Sequence, residues 1–241
     1  MLKYYIATGT AETNILTEYG VNVSGSTGLL GRPDFKNAEK FDWKYLNGEW
    51  IDLRNRRYKS REIKLKCWVK ANSEQNAINK MNNFMKVFGT NKLIRLHIEF
   101  VNNSNGEVVT GAKGLFYLVY LSKTGQPSYK WNQSRQIISF EVTLTEPSPV
   151  KRIYKVVSTY GDHSVSLSYH SATEFDVHWG DGDVDYDLLG GTAQSPLTLD
   201  HEYKGAGTHY VIITGVIPEI TSTLTTSTPE TTVGPALYEE I

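Results

Sequence analysis

Cysteine is almost missing from this chain. Cys67 is the only one in 241 residues, which excludes an intramolecular disulfide and a Cys-rich zinc site. It lies in an alternating run and reads as a small buried filler. Long apolar runs are missing too. No stretch approaches the length of a membrane span, and residues 1–8 lack the apolar centre of a secretory signal, so the expectation is assembly in a cytoplasm without membrane insertion. A formal net charge of -1 provides no global pull toward nucleic acid or an anionic membrane. Serines are plentiful, yet no Gly-x-Ser-x-Gly turn, Walker loop or dinucleotide fingerprint occurs. A nucleophile needs a base and an oxyanion donor within reach, and nothing in the sequence announces that set. No catalysis and no cofactor are expected.

What is present favours β-structure: 15 Tyr, 20 Gly and 12% aromatic residues suit strands and turns. The length allows one large or two modest domains. In the first part, residues 3–7 and 41–45 read as short strands, and Asn47-Gly48 as a turn signal. Residues 62–70 alternate cleanly, with Ile63, Leu65, Cys67 and Val69 on one face and Lys64, Lys66 and Trp68 on the other. A helix over about residues 73–88 follows from cap candidates Asn72 and Ser73, Gln75 three positions after Asn72, apolar Ile78, Met81, Met85 and Phe88 at helical spacing, and Gly89 beyond the end. Residues 92–101 put Ile94, Leu96, Ile98 and Phe100 inward and Arg95, His97 and Glu99 outward. Residues 102–106 read as a hairpin loop. Residues 114–121 are apolar on both faces, so that strand should be covered on both sides. A last strand over 135–145 stops at Pro147-Ser148-Pro149, where the domain boundary falls.

Farther on, Phe175, Val177 and Trp179 alternate with Asp176 and His178, as in a strand with one buried face. Gly180-Asp181-Gly182 ends it in a turn. Tyr210, Ile212 and Thr214 form a further alternating face. The set Trp179, Gly180, Asp181, Gly182, His201, Tyr203 and Tyr210 resembles the polycystic-kidney-disease-type (PKD) repeat, with an aromatic, Gly-Asp-Gly, His-x-Tyr and a Gly-x-x-Tyr strand. The resemblance spans about residues 160–217. It implies a small sandwich around a Trp-centred core, with His201 bonding across it.

The first part resembles the N-terminal ring-forming domain of siphophage distal tail proteins. The resemblance rests on Leu16-Thr17-Glu18-Tyr19-Gly20-Val21, on Lys59-Ser60-Arg61-Glu62-Ile63-Lys64-Leu65 leading to the helix, on the final strand ending in Glu146-Pro147, and on the order of elements. It implies a structural phage or prophage tail component, located in the virion tail and assembled in the cytoplasm of a bacterial host. Such a component forms a hexameric ring with itself, contacts other tail proteins, joins the tail tube to the host-adhesion device, and has no catalytic residues. The expected architecture is mainly β. A β-sandwich domain with one α-helix (α+β) over 1–150 precedes a small Ig/PKD-like β-sandwich over 155–217 and a Thr/Ser-rich C-terminal arm over 218–241, which reads either as a flexible arm or, because β-branched Thr suits one, as an edge strand. The second sandwich would project outward, where exposed aromatic residues could meet a host glycan.

Three side-chain groups have competing readings. Arg54, Arg56, Arg57, Lys59 and Arg61, continued by Lys64 and Lys66, form a basic run. Phosphate attraction would let it touch DNA, but no base-reading motif accompanies it, and acidic surfaces of a neighbouring subunit are the simpler partner. Asp181, Asp183, Asp185 and Asp187 begin like a calcium loop. Tyr186 stands where the loop glycine belongs and no Glu follows at the twelfth position, so a solvated hairpin tip outweighs calcium and no metal is expected. The histidines of the second part lack helical metal spacing. The leading alternative for the whole chain is a monomeric carbohydrate-binding or adhesive β-sandwich protein.

Overall fold

The computed structural model describes residues 2–9, 11–45, 47–51, 57–101, 114–125, 127–129, 136–159, 161–226, 231–234 and 237–239. The molecule is mainly β and has two lobes, each built on one eight-stranded sheet. Arg54 and Arg56, the 102–106 loop and the first residue of the expected 135–145 strand lie outside the described residues.

The first lobe contains β1 (Leu2–Ala7), β2 (Thr13–Asn14), α1 (Ile15–Tyr19), β3 (Val21–Thr27), β4 (Lys40–Asp42), β5 (Glu49–Ile51), β6 (Arg61–Lys70), α2 (Glu74–Lys86), β7 (Ile94–Phe100), β8 (Leu115–Thr124), β9 (Ser128–Tyr129) and β10 (Ile137–Glu146). Its sheet runs β2-β1-β7-β8-β10-β6-β3, with β9 on β10. The start of β8 pairs with β7 and its end with β10, so β8 hands the sheet from one half to the other. Both halves feed a single core, with Ile63, Leu65, Val69, Ile94, Leu96, Ile98, Ile138 and Val142 all buried. Burial of each such side chain contributes about 1.5–3 kcal/mol before entropy is subtracted.

Helix α2 covers this core with Ala77 and Phe84. The Ser73 side chain caps it by accepting the Asn76 N–H at 3.2 Å, which meets one of the free donors at a helix start. Phe84 packs edge-on against Phe88 with centroids 5.2 Å apart. Sequence periodicity did not suggest α1, because five residues are too few for an apolar stripe to repeat. Its signals are the caps. The Asn14 side chain accepts from the Leu16 and Thr17 N–H groups, and Gly20 ends the helix in the left-handed region at φ 64°.

The second lobe contains β11 (Lys151–Ser158), β12 (His163–His178), β13 (Val184–Gly190), β14 (Leu197–Tyr203), β15 (Gly207–Thr214), β16 (Ile220–Thr226), β17 (Thr231–Val233) and β18 (Leu237–Glu239). Its organiser is the 16-residue β12. The first half of β12 pairs with β14 and β16, and the second half with β13 and β15. Register shifts between Ser171 and Val177 mark the crossing. Trp179 and Tyr203 are fully buried in the core of this lobe.

The Thr/Ser-rich segment after residue 218, open between a flexible arm and an edge strand on sequence, supplies β16, β17 and β18 to the second sheet, because β-branched Thr suits a pleated surface and open ladder edges accept it. Two expectations need correction. The core face of β15 consists of Val211 and Ile213, one position out of step with the expected Tyr210, Ile212 and Thr214. The polar positions Arg95 and Asp176, placed outward by alternation, are 9% and 1% exposed. The physical reason is shared: the second face of β7, β12 and β15 meets the other lobe instead of water.

Candidate functional site

The lobe junction is the most elaborated site in the molecule. At its centre Arg95 on β7 forms a two-pronged pair with Asp176 on β12, Nε to Oδ2 and Nη2 to Oδ1, both at 2.7 Å. Nη2 also reaches Asp187 at 2.8 Å, and Nη1 donates to the Gly9 carbonyl at 3.1 Å. Burial alone would lower the guanidinium's pKa, but Asp176 and then Asp187 outweigh it and raise it. Asp187 is held at φ 54°, uncommon for a residue with a side chain, and its N–H donates to Asp176 Oδ1 at 3.0 Å.

Next to this pair, Phe116 on β8 is sandwiched between two imidazoles: His97 at 4.3 Å and His178 at 3.8 Å between ring centroids. His97 Nδ1 meets Glu12 Oε2 at 2.8 Å, and the Tyr186 hydroxyl donates to Glu12 Oε1 at 3.1 Å. Burial works to raise the Glu12 pKa, yet His97, Tyr186 and Arg95 together hold it below the usual value. Burial, reinforced by the neighbouring His97, Lys151 and Arg95, pushes His178 well below its ordinary value, so its ring is neutral.

Above these groups opens a cleft of about 560 Å³ between the lobes, whose lining includes Glu12, His97, Glu99, Phe100, Phe116, His178, Asp181, Asp183, Tyr186 and Tyr210. Sequence reading anticipated no such cleft, because its walls come from strands up to two hundred positions apart. His97 with Glu12 can hold or pass a proton. The hydroxyls that line the cleft among the described residues are those of Tyr186, Thr208 and Tyr210.

At the rim, the Gly-Asp-Gly turn is built as a scaffold. Trp179 donates from Nε1 to Asp185 at 2.7 Å, and its carbonyl accepts the Tyr203 hydroxyl at 2.8 Å. His201 stacks on Trp179 with planes 6° apart and centroids 4.5 Å apart, and meets Asp181 at 2.8 Å. Gly180 sits at φ +86°, where an added Cβ would lie 2.6 Å from the Tyr210 carbonyl oxygen. Tyr210 itself is half-buried on the cleft wall. Of the four aspartates considered for calcium, Asp185 is thus turned toward Trp179 and Asp187 toward Arg95. Asp181 and Asp183 instead come together with His201, their ligand atoms within 4.8 Å of one another.

The basic run divides. Arg57 and Lys59 are exposed. Arg61 is 3% exposed, which corrects its assignment to an outer interface. It faces Glu146 at 3.5 Å and donates to the Leu29 carbonyl at 3.4 Å. Lys151 closes the cluster by donating to Glu146 at 3.0 Å, pinning the two ends of the Pro-Ser-Pro linker. Burial raises the Glu146 carboxyl and lowers the Lys151 ammonium, with their mutual attraction opposing both shifts.

A second distinctive surface is the β4–β5 hairpin, a two-stranded sheet separate from both large ones. Phe41, Trp43, Tyr45, Trp50 and Ile51 on it are 45%, 59%, 90%, 54% and 40% exposed. An isolated hairpin is marginal in water, and clustered exposed aromatics mark contact surfaces.

No helix among the described residues is long and apolar enough to cross a membrane. No family model matches the chain, and no curated protein matches it by sequence. Among solved structures the chain is similar to the Dit (gp 19.1) protein of phage SPP1, described as a paradigm of the hub adsorption apparatus in Gram-positive-infecting phages. Identity is 12%, coverage 97% of each chain, and the TM-score 0.48. It is also similar to chains of the phage p2 baseplate in its activated conformation with Sr and with Ca. Each of these is 8% identical and covers 89% of this chain and 98% of the other, with TM-scores of 0.44 and 0.45.

Proposed function

We propose that this chain is a structural, non-catalytic component of a phage or prophage tail, and that its first lobe assembles with copies of itself into a hexameric ring joining the tail tube to the host-adhesion device. The observation that carries this reading is the aromatic β4–β5 hairpin standing apart from both sheets with Phe41, Trp43, Tyr45 and Trp50 in solvent. Such a surface gains stability only when covered. Edge strand β3 complements it, since among the described residues it pairs on one side alone, with β6. A head-to-tail contact between a protruding element and an open edge generates a ring when its rotation closes. The order of elements and the motif residues that resemble distal tail proteins name the setting. Arg57 and Lys59 would set register against acidic groups of a neighbour. The second lobe is a PKD-like sandwich at the periphery, where Trp179, Gly180, Asp181, Gly182, His201, Tyr203 and Tyr210 keep its fold.

The test is native mass spectrometry with negative-stain electron microscopy of the purified chain, alone and with neighbouring tail proteins. Closed six-membered rings are expected. The double substitution Trp43→Ser/Trp50→Ser should reduce them to monomers while leaving far-UV circular dichroism unchanged. A wild-type chain that stays monomeric at high concentration and with those partners would overturn the reading in favour of a free adhesive module.

A further inference from the structure

The lobes meet without a shared apolar core. The buried hydrophobics around Ile63 and Leu65 in the first lobe and around Trp179 and Tyr203 in the second form separate clusters with no member in common among the described residues. Polar and aromatic contacts span the junction instead: Arg95 with Asp176 and Asp187, Glu12 with the Tyr186 hydroxyl, Lys92 with Glu174 at 3.1 Å, and Phe116 stacked on His178. The covalent link is Pro147-Ser148-Pro149, whose ends are held together by Glu146, Lys151 and Arg61. Lys151 and Arg61 also sit 4.6 and 5.4 Å from the centre of the Tyr117 ring. This arrangement is a pivot between two bodies that can part at Arg95 and Phe116 while both cores stay closed. His178 is buried at the parting surface, and its Nδ1 has no hydrogen-bond partner among the described residues. With Thr214, whose Oγ1 is likewise buried and unpartnered, it lines a void of about 10 Å³, room for about one water. Arg95 and His97 from β7, Lys151 from β11, Glu12, Tyr186 from β13 and Asp176 from its own strand surround the ring. The nearest carboxylates are committed, Asp176 to Arg95 and Glu12 to His97, while Glu99, Asp183, Tyr210 and the His201-paired Asp181 line the cleft beyond.

We infer that the junction is an acid-opened hinge, in which a proton on His178 shifts the chain toward a form whose lobes have swung apart about the Pro147-Ser148-Pro149 pivot. In the closed form, burial first and then His97, Lys151 and Arg95 oppose a charge on this ring. In the open form water solvates the imidazolium, and the group titrates near its ordinary value of 6.5. A proton shifts an equilibrium toward the form that binds it better, so closure is stable above 6.5 and weakens as pH falls below it. For one proton the open-to-closed ratio rises by up to about tenfold per pH unit. The Arg95 pair resists opening and so sets how far pH must fall before the lobes part. The hinge lies within one chain and is independent of ring assembly.

The test places nitroxide spin labels on the full chain carrying Lys92→Cys and Glu174→Cys, since these exposed positions face each other across the junction and an exposed ion pair contributes little. Cys67 is buried and escapes labelling. Labelled chain is diluted into unlabelled chain, so that dipolar broadening of the spin-label spectrum reads the distance within one molecule. Strong broadening is expected at about pH 7.5 and its reversible loss by about pH 5.5, still above the ordinary carboxylate range, with far-UV circular dichroism unchanged. His178→Phe keeps a ring against Phe116 but takes up no proton, and should hold the broadening at the lower pH. His178→Gln gives the same reading if the Phe variant folds poorly, and His97→Gln should still open. Broadening that persists at about pH 5.5 with His178 in place, an equal loss in a folded His178 variant, a loss abolished by His97→Gln, or a loss accompanied by unfolding would each overturn the inference.

Discussion

Substituting Arg95 with Met removes the guanidinium at the lobe junction while keeping most of the apolar stem. The Asp176 side chain is 2% exposed, so water cannot replace the two lost bonds, and among the described residues the Asp187 N–H at 3.0 Å is the donor left to it. Deleting one partner of a buried pair costs about 3–5 kcal/mol, mostly from the stranded charge. The second contact, to Asp187, involves a side chain 42% exposed and contributes about 0–1 kcal/mol. Arg95→Met should therefore destabilise by about 3–5 kcal/mol, Asp187→Asn by less than about 1 kcal/mol. The double variant Arg95→Met/Asp176→Leu should regain much of the loss, since no charge remains buried. Urea unfolding followed by tryptophan fluorescence measures the totals, and limited proteolysis reports whether the lobes part before the cores melt. A loss under about 1 kcal/mol for Arg95→Met, or a double variant no better than the single, would refute the view that a desolvated ion pair clamps the lobes.

Other substitutions probe separate parts. Gly180→Ala forces a side chain into φ +86° and against the Tyr210 carbonyl; the conformation alone costs about 1–3 kcal/mol, measurable by chemical denaturation. Phe84→Ala should cost about 3–5 kcal/mol, because Phe84 is fully buried among Tyr19, Phe88 and Phe140; loss of helicity in circular dichroism would accompany it. For pH, the folded His178 value lies well below 6.5 and the folded Glu12 value below 4.5. For both groups the unfolded chain binds the proton more readily, so stability is lost as pH falls below 6.5 through His178 and further below 4.5 through Glu12. Tm measured from pH 7 to pH 4 should fall, and His178→Phe should flatten the upper part of that fall; an unchanged slope in the variant would count against His178 as its source.

Much of the fold was legible locally. Alternation in β6 and β7 placed Ile63, Leu65, Val69, Ile94, Leu96 and Ile98 correctly in a core, because a strand's period of two is a property of the backbone. Helix α2 could be read from its cap and stripe. The double apolar character of residues 114–121 announced a strand covered on both faces; Phe116 does meet the second lobe through His178, whereas Tyr120 on the same face is 45% exposed. The candidate site was legible only in pieces. The Gly-Asp-Gly turn and His201 were visible as a motif, whereas the cleft and its Glu12, His97 and His178 were not.

The sequence by itself determined the mainly β character, the position of α2, the single buried thiol and the turn at Gly180, since each depends on neighbours within a few residues. Only the tertiary structure decided which polar positions face water. Alternation distinguishes two faces of a strand but is silent on what covers them. Arg95, Asp176 and His178 therefore read as solvent-facing until a second lobe, folded from residues about eighty positions away, was laid against them. The same long-range pairing turned a Thr-rich tail into strands β16–β18, because an edge strand gains its hydrogen bonds from a ladder that the segment itself does not encode.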